Sequence, residues 1–201
     1  MSKKLSKESR YRQLFDIWKS GEYACLVIQA RRFLDEFPNH FVGWTLYGVG
    51  LYEIARYDDS RKALLTSMKI RQNKSLRFVY NQMGNLFREK GEYQTAARWY
   101  RKAVKLNPDD AGPRIYLGGL QAKQGLLDTA ERTYRRATQC NKGPVEEAYL
   151  NLGLIFRAKE RFEEALVCFE KALELDPKYF AVQDAKIDVT KAIKLLRETT
   201  K

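Results

Sequence analysis

Apolar residues along this chain recur at helical spacing, in pairs of short stripes. Tyr80, Met83, Gly84 and Phe87 share one face at i, i+3, i+4 and i+7, Gly91 interrupts, and Tyr93, Ala96, Tyr100 and Ala103 draw a second stripe. The pattern predicts two helices joined by a tight turn. Gly91 suits the left-handed residue that ends the first, and Pro108 stops the second just after its last turn. Gly84 and Ala96 have a packing reason, because small residues let two helix axes approach while the aromatics fill the flanks.

The hairpin is written more than once. "GEYQTAARWYRKAVKLNP" (Gly91–Pro108) returns 69 residues on as "ERFEEALVCFEKALELDP" (Glu160–Pro177), with aromatics, alanines and closing proline at equal offsets. Aligned on Gly84, blocks of 34 residues run over 77–110, 111–144 and, after an inserted Val145, 146–179. A fourth lies upstream at 41–74, set off by Ser75 and Leu76, and a divergent fifth at 7–40. The expected organisation is a basic tail (1–6), five repeats (7–40, 41–76, 77–110, 111–145, 146–179) and a capping segment (180–201), all in one domain. The cap is read from the stripe Ala181, Ala185, Val189, Ala192, Ile193 and Leu196, opposite Lys186, Asp188, Lys191 and Lys194. An array exposes the apolar side of its last unit, and a helix with a polar outer face covers it.

These blocks resemble tetratricopeptide repeats, whose pattern is an aromatic, Leu-Gly, an aromatic, a mid-block Ala, an aromatic, Ala and Pro. Block 77–110 matches with Tyr80, Met83-Gly84, Phe87, Ala96, Tyr100, Ala103 and Pro108, and block 146–179 with Tyr149, Leu152-Gly153, Phe156, Ala165, Phe169, Ala172 and Pro177. Block 111–144 keeps Leu117-Gly118, Ala130, Tyr134 and Ala137 but has Lys142 in the proline place. Block 41–74 keeps Trp44, Gly48, Leu51 and Tyr57, with Ser60 and Ser67 for the alanines. The first block departs most, with Leu14, Leu26 and Phe33 where Gly, Ala and Ala are usual. The resemblance implies an all-α, right-handed α-solenoid of helix hairpins.

Composition removes several classes of function. The three cysteines, Cys25, Cys140 and Cys168, are far apart and form no CxxC pair, and the single His40 cannot complete a zinc site. Each cysteine reads as a small buried apolar residue, and a reducing, cytoplasmic setting is the expectation. No apolar run is long enough to span a bilayer, so membrane insertion is not expected. There is no nucleophile elbow, phosphate loop or HExxH, so no catalytic residue, metal or cofactor is expected and the chain reads as a non-enzyme. Glu163, Glu164, Glu170 and Glu174, with Lys171 among them, read as a solvated helix face.

Binding remains. In the family that the repeats resemble, the first helix of each hairpin lines a concave groove that holds peptides. Those positions fall here on Tyr11, Arg12, Phe15, Thr45, Val49, Tyr52, Phe78, Asn81, Gln82, Asn85, Arg88, Ile115, Tyr116, Gly119, Leu150, Asn151, Leu154 and Arg157. Asn81 and Asn85 share a helix face with Phe78, and carboxamides can both donate to and accept from a peptide backbone. The expected function is thus a protein-interaction scaffold or adaptor. The clamp that some tetratricopeptide domains use for heat-shock chaperone tails is not matched. Asn81 stands in a Lys place, Tyr116 in an Asn place, and Glu147 and Asn151 where Lys and Arg are required.

The net charge of +12 is uneven, since residues 146–179 hold 5 Lys/Arg against 8 Asp/Glu. Arg98, Arg101 and Lys102 recur 34 residues on as Arg132, Arg135 and Arg136, a basic ladder on the second helices. A ladder of like charge can attract a polyanion such as nucleic acid, or simply keep the chain soluble. Self-association through the array's ends is a third possibility.

Overall fold

The computed structural model describes residues 6–70 and 76–199. The expected tail up to residue 5 and the end of the second repeat at 71–75 therefore lie outside the described residues. Among the described residues eleven α-helices follow one another: α1 (Lys7–Lys19), α2 (Tyr23–Glu36), α3 (Phe41–Glu53), α4 (Tyr57–Ile70), α5 (Leu76–Glu89), α6 (Tyr93–Leu106), α7 (Ala111–Lys123), α8 (Leu127–Ala137), α9 (Val145–Ala158), α10 (Phe162–Leu175) and α11 (Phe180–Thr199). The chain divides into two compact units, Met1–Leu106 and Asn107–Lys201. Within each, consecutive helices pair as hairpins, and successive hairpins pack in chain order. No described helix is long and apolar enough to cross a membrane.

Each hairpin turns by the same backbone device. After α1, the Gly21 amide donates to the Trp18 carbonyl and the Glu22 amide to the Ile17 carbonyl, the crossed pair of a Schellman turn. The pair repeats at Ala55/Arg56, Gly91/Glu92, Gly125/Leu126 and Glu160/Arg161. The central residue needs a left-handed backbone: φ is +75° at Gly21, +76° at Gly91 and +77° at Gly125. Ala55 and Glu160 adopt it too, at 61° and 58°, without glycine's freedom.

Glycine inside the first helices serves close approach instead. A Cβ at Gly48 would stand 2.8 Å from Leu64, at Gly118 2.8 Å from Tyr134 and at Gly153 2.5 Å from Phe169. At Gly84 it would overlap the Tyr100 ring more closely still. A bulky residue of the second helix thus lies directly on the first helix's backbone. In the divergent first repeat the aligned pair is Leu14 and Ala30, both buried in one core cluster. The large and small partners have changed sides, which keeps the volume of the joint. Leu26 and Phe33 are also fully packed there, at 0% and 1% exposure. In the second repeat Ser60 donates to the Gly48 carbonyl at 2.7 Å and Ser67 to the Phe41 carbonyl at 2.8 Å. These bonds satisfy the hydroxyls that replace the two alanines.

The second unit departs from the pattern where Lys142 replaces proline. The 138–144 loop folds back on the start of α7: the Ala111 amide donates to the Lys142 carbonyl at 2.9 Å and the Lys142 amide to the Asp109 carbonyl at 3.1 Å. Gly143 approaches so tightly that a Cβ there would stand 2.6 Å from the Asp110 carboxylate that caps α7. At the C-terminus, α11 buries Val182, Ala185, Val189 and Ile193. The expected stripe was displaced at both ends, because Ala181 is exposed and Leu196 is 52% exposed. At about 100° per residue Leu196 still falls on the side of Ala185 and Val189, but it lies in the last turn of α11. Cys140 and Cys168 are buried as expected, but Cys25 is exposed, one residue off the Leu26, Ala30, Phe33 stripe of α2.

Candidate interaction faces

In the first unit the first helices α1, α3 and α5 lie side by side, with α3 in the middle. Tyr11, Phe15 and Trp18 follow one another along α1 and meet edge-on, with ring centroids 6.0 and 5.1 Å apart. Trp18 then reaches Phe78 of α5 at 6.2 Å. Each such pair adds about 0.5–1.5 kcal/mol beyond its burial. All four rings remain partly exposed, and Arg12 beside them is exposed. Val49 and Thr45 on α3 are buried at 0% exposure, so neither is open to a ligand.

A chain of polar groups runs behind the rings. Tyr52 donates to Gln82 Oε1 at 2.8 Å, the Asn85 amide donates to the same oxygen at 3.3 Å, and Tyr100 donates to Asn85 Oδ1 at 2.8 Å. Tyr52 and Gln82 are buried, at 5% and 6% exposure. Burial pushes the Tyr52 hydroxyl well above the usual tyrosine range, so its proton stays in place to donate. Tyr52, Gln82 and Asn85 therefore tie α3, α5 and α6 together rather than waiting for a partner. Asn81 differs. Its Oδ1 is buried and accepts no hydrogen bond among the described residues. An unsatisfied acceptor costs about 1–3 kcal/mol, and a turn of the half-buried side chain that brings the oxygen to a donor would recover it. Arg88 pairs with its neighbour Glu89 at 2.9 Å.

In the second unit the corresponding helices carry Tyr116, 37% exposed, and Asn151, whose amide donates to the Glu147 carbonyl of its own helix at 2.9 Å. Glu147 stands where the first unit has Phe78. Burial and then the adjacent Glu146 raise its carboxyl above the ordinary range. This face is thus acidic where the first unit's is aromatic.

The basic residues are exposed on α6 (Arg98, Arg101, Lys102) and on α8 (Arg132, Arg135, Arg136), but in different settings. On α8, Arg135 pairs with Glu131 at 3.0 Å and approaches Glu164 at 3.8 Å, and Arg132 donates to Thr129. Glu131, only 13% exposed, also holds Lys159 at 2.7 Å and Arg161 at 3.0 Å. Burial alone would raise its carboxyl, but hydrogen bonds from Lys159 and Arg135, together with the Arg161 charge, hold it below the ordinary value. On α6, Lys102 lies 4.0 Å above the Trp99 ring, which itself contacts Tyr80 at 5.5 Å.

Two outer grooves occupy equivalent places in the two units. One of about 460 Å³ has Trp44 and Tyr47 of α3 in its lining, with Arg31, Arg56 and Asp59. The other, about 480 Å³, has Tyr149, Leu152, Arg135 and Glu164 at the matching positions. The lone His40 caps α3, its Nδ1 accepting from the Gly43 amide at 3.0 Å. Among the described residues no group of three or more His, Cys, Asp or Glu side chains could hold a metal ion.

Sequence reasoning missed Trp18, although alignment places it level with Tyr52, Arg88 and Arg157, all named as inward positions. It also missed the Glu131 cluster. The Glu131–Arg135 spacing was readable, but Lys159 and Arg161 arrive from the turn of the next hairpin.

Comparison with known proteins agrees with this geometry. A tetratricopeptide-repeat family model matches residues 146–179, and a second repeat model of the same kind matches 84–125. No curated protein sequence matches the chain. A thermophilic tetratricopeptide protein of Thermus thermophilus superposes with a TM-score of 0.67 at 20% identity, over 92% of this chain and 99% of its own. The pilF protein of Pseudomonas aeruginosa gives 0.68 at 17% identity, over 91% and 82%. YrrB, described as a tetratricopeptide protein with an unusual peptide-binding site, gives 0.58 at 18% identity, over 90% and 92%. Five hairpins that turn by one backbone device, with two segments matched by the repeat models, show that the chain carries tetratricopeptide repeats.

Proposed function

We propose that this protein is a non-enzymatic adaptor that holds a segment of a partner protein on the face formed by α1, α3 and α5. The observation that carries the reading is the row Tyr11, Phe15, Trp18 and Phe78, partly exposed and ending beside Asn81, whose buried carboxamide oxygen lacks a donor. Rigid rings supply apolar contact at little entropic cost, and the half-buried Asn81 carboxamide, once turned toward the ligand, supplies one hydrogen bond that fixes the register of a backbone. Arg12, exposed at the end of the row, favours a segment with a carboxylate near its aromatic or aliphatic anchor. The peptide-binding site described for YrrB supports a peptide ligand for this architecture.

The test starts from peptides selected on the whole chain from a displayed random library and measured by calorimetry. Phe15→Ala and Phe78→Ala should each weaken the selected peptide at least tenfold, and Asn81→Ala should weaken it about fivefold. Arg98→Gln/Arg101→Gln, on α6, should leave it unchanged. Peptides indifferent to all three changes on the α1–α5 face would sink the reading.

A further inference from the structure

We infer that the outer face of α6, with Tyr80 beside it, binds single-stranded nucleic acid through phosphate contacts and base stacking. The charge of this protein is concentrated in one half. The unit Met1–Leu106 holds 21 Lys/Arg against 10 Asp/Glu, a net +11, while Asn107–Lys201 holds 16 against 15. Within the basic unit α6 is the extreme case, since no acidic residue occurs between Glu92 and Asp109.

Arg98, Arg101, Lys102 and Lys105 follow at i, i+3, i+4 and i+7, so they share one side of the helix, and all four are exposed. They extend over about 10 Å of helix, room for roughly two phosphates. None of them makes an ion pair among the described residues. The α8 cations make the contrast. Arg135 is held by Glu131 and Glu164 and the charge of Arg132 acts on Asp128, so two of the three α8 cations are already met by carboxylates.

Charge alone would suit any polyanion, and the aromatic pair decides between them. Trp99 and Tyr80 lie 5.5 Å apart at 45°, partly exposed, with the Lys102 ammonium 4.0 Å from the indole and 6.0 Å from the phenol ring. A run of acidic residues meets the cations but has no ring to stack on the indole. A nucleotide uses both: its base stacks on the ring when Lys102 swings on its flexible stem to the adjoining phosphate. The cations and Trp99 lie on α6, and Tyr80 of α5 stands about 200° round its helix from Phe78, so the two binding events are separable.

The experiment is fluorescence anisotropy of labelled fifteen-nucleotide oligo(dT) and oligo(U) with the whole chain, over a salt series. Binding of both is expected, with log K falling against log salt at a slope of roughly −0.7 per phosphate contacted. Arg98→Gln/Arg101→Gln should weaken binding at least tenfold and flatten the slope. Trp99→Leu should weaken it about five- to hundredfold with the slope unchanged. Trp99→Phe, which keeps a ring, should retain most of the binding and serves if the Leu variant unfolds. Arg132→Gln/Arg136→Gln should change affinity less than twofold. Failure of both oligonucleotides to bind at 50 mM salt, or an equal loss from the α8 pair, overturns the inference. So does labelled polyglutamate binding as tightly while Trp99→Leu and Trp99→Phe have no effect, which would assign the face to an acidic protein. Preference for oligo(U) over oligo(dT) would identify RNA as the source of the strand.

Discussion

Ala55 and Glu160 occupy the left-handed turn position that glycine fills in the other three hairpins, and replacing them isolates the backbone cost of that turn. An L-residue in the left-handed region costs about 1–2 kcal/mol relative to glycine. Glycine returns about 0.4–1 kcal/mol of this through the greater freedom of the unfolded chain. Ala55→Gly should therefore stabilise the protein by about 0.5–1 kcal/mol. Nothing else is lost, because Ala55 is exposed and contributes only a methyl group. Glu160→Gly repeats the experiment in the other unit, at an equally exposed site. The converse is Gly91→Ala. No atom lies within 4 Å of the place its Cβ would take, so only the φ of +76° resists the substitution. It should destabilise by a similar amount. Helical circular dichroism followed on heating is the assay, and for a chain of this size 1 kcal/mol moves the midpoint by roughly 2–4 °C. The expected pattern is a rise of about 1–4 °C for each glycine introduced and a comparable fall for Gly91→Ala. If the two introduced glycines lower the midpoint while Gly91→Ala leaves it unmoved, backbone strain at this turn is not what selects its residue.

Three further outcomes test the packing and the charges. Gly153→Ala would set a Cβ 2.5 Å from the fully buried Phe169 ring and should lower the urea midpoint by an amount equivalent to about 1–3 kcal/mol, whereas Gly119→Ala, 3.6 Å from a hydroxyl, should cost far less. The Glu131 carboxyl is held below its ordinary value, so its contribution is present above the unfolded carboxylate pKa of about 4.3 and is lost as pH falls through the lower folded value. Glu131→Gln should lower stability at pH 7 and flatten the acid limb of a stability-versus-pH curve, and an unchanged limb would show that the cluster holds no differential proton affinity. Burial, the largest cause, pushes the Cys168 thiol up to about 11, so at pH 8 a thiol reagent should label exposed Cys25 and leave Cys168 unmodified until the chain is denatured.

What was legible in the sequence was whatever close packing repeats. Gly48, Gly84, Gly118 and Gly153 each accept a large side chain on their backbone, and that need recurs at a fixed spacing that an alignment can see. The first repeat departs from that pattern as its residues announce, and Leu14 and Ala30 preserve the volume while exchanging the roles. The groove was less legible. Helical spacing placed Phe78 and Asn81 on one side, yet it could not show Trp18 reaching Phe78, or Val49 buried. Nor could it show that Asn85 is engaged by Tyr100. Those outcomes depend on the lengths of side chains from helices far apart in sequence.

The basic ladder shows why periodicity fails as a guide to charge. Arg101 and Arg135 are equivalent residues 34 apart, and a repeat-based reading gives them one role. Their surroundings differ by a few non-equivalent residues: Glu131 on α8 aligns with Ala97 on α6, and Glu164 on the following hairpin completes the enclosure of Arg135. Packing is fixed by positions that repeat, but potential is fixed by those that do not. A cation whose field is already met by two carboxylates offers little to a polyanion, whereas four exposed cations without a counter-ion favour any anion that neutralises them. The asymmetry between +11 and +1 therefore localises the sites as well as describing the charge. A partner that depends on positive charge should bind the unit that ends with α6, and should release with salt far more readily than one held by the rings of α1 and α5.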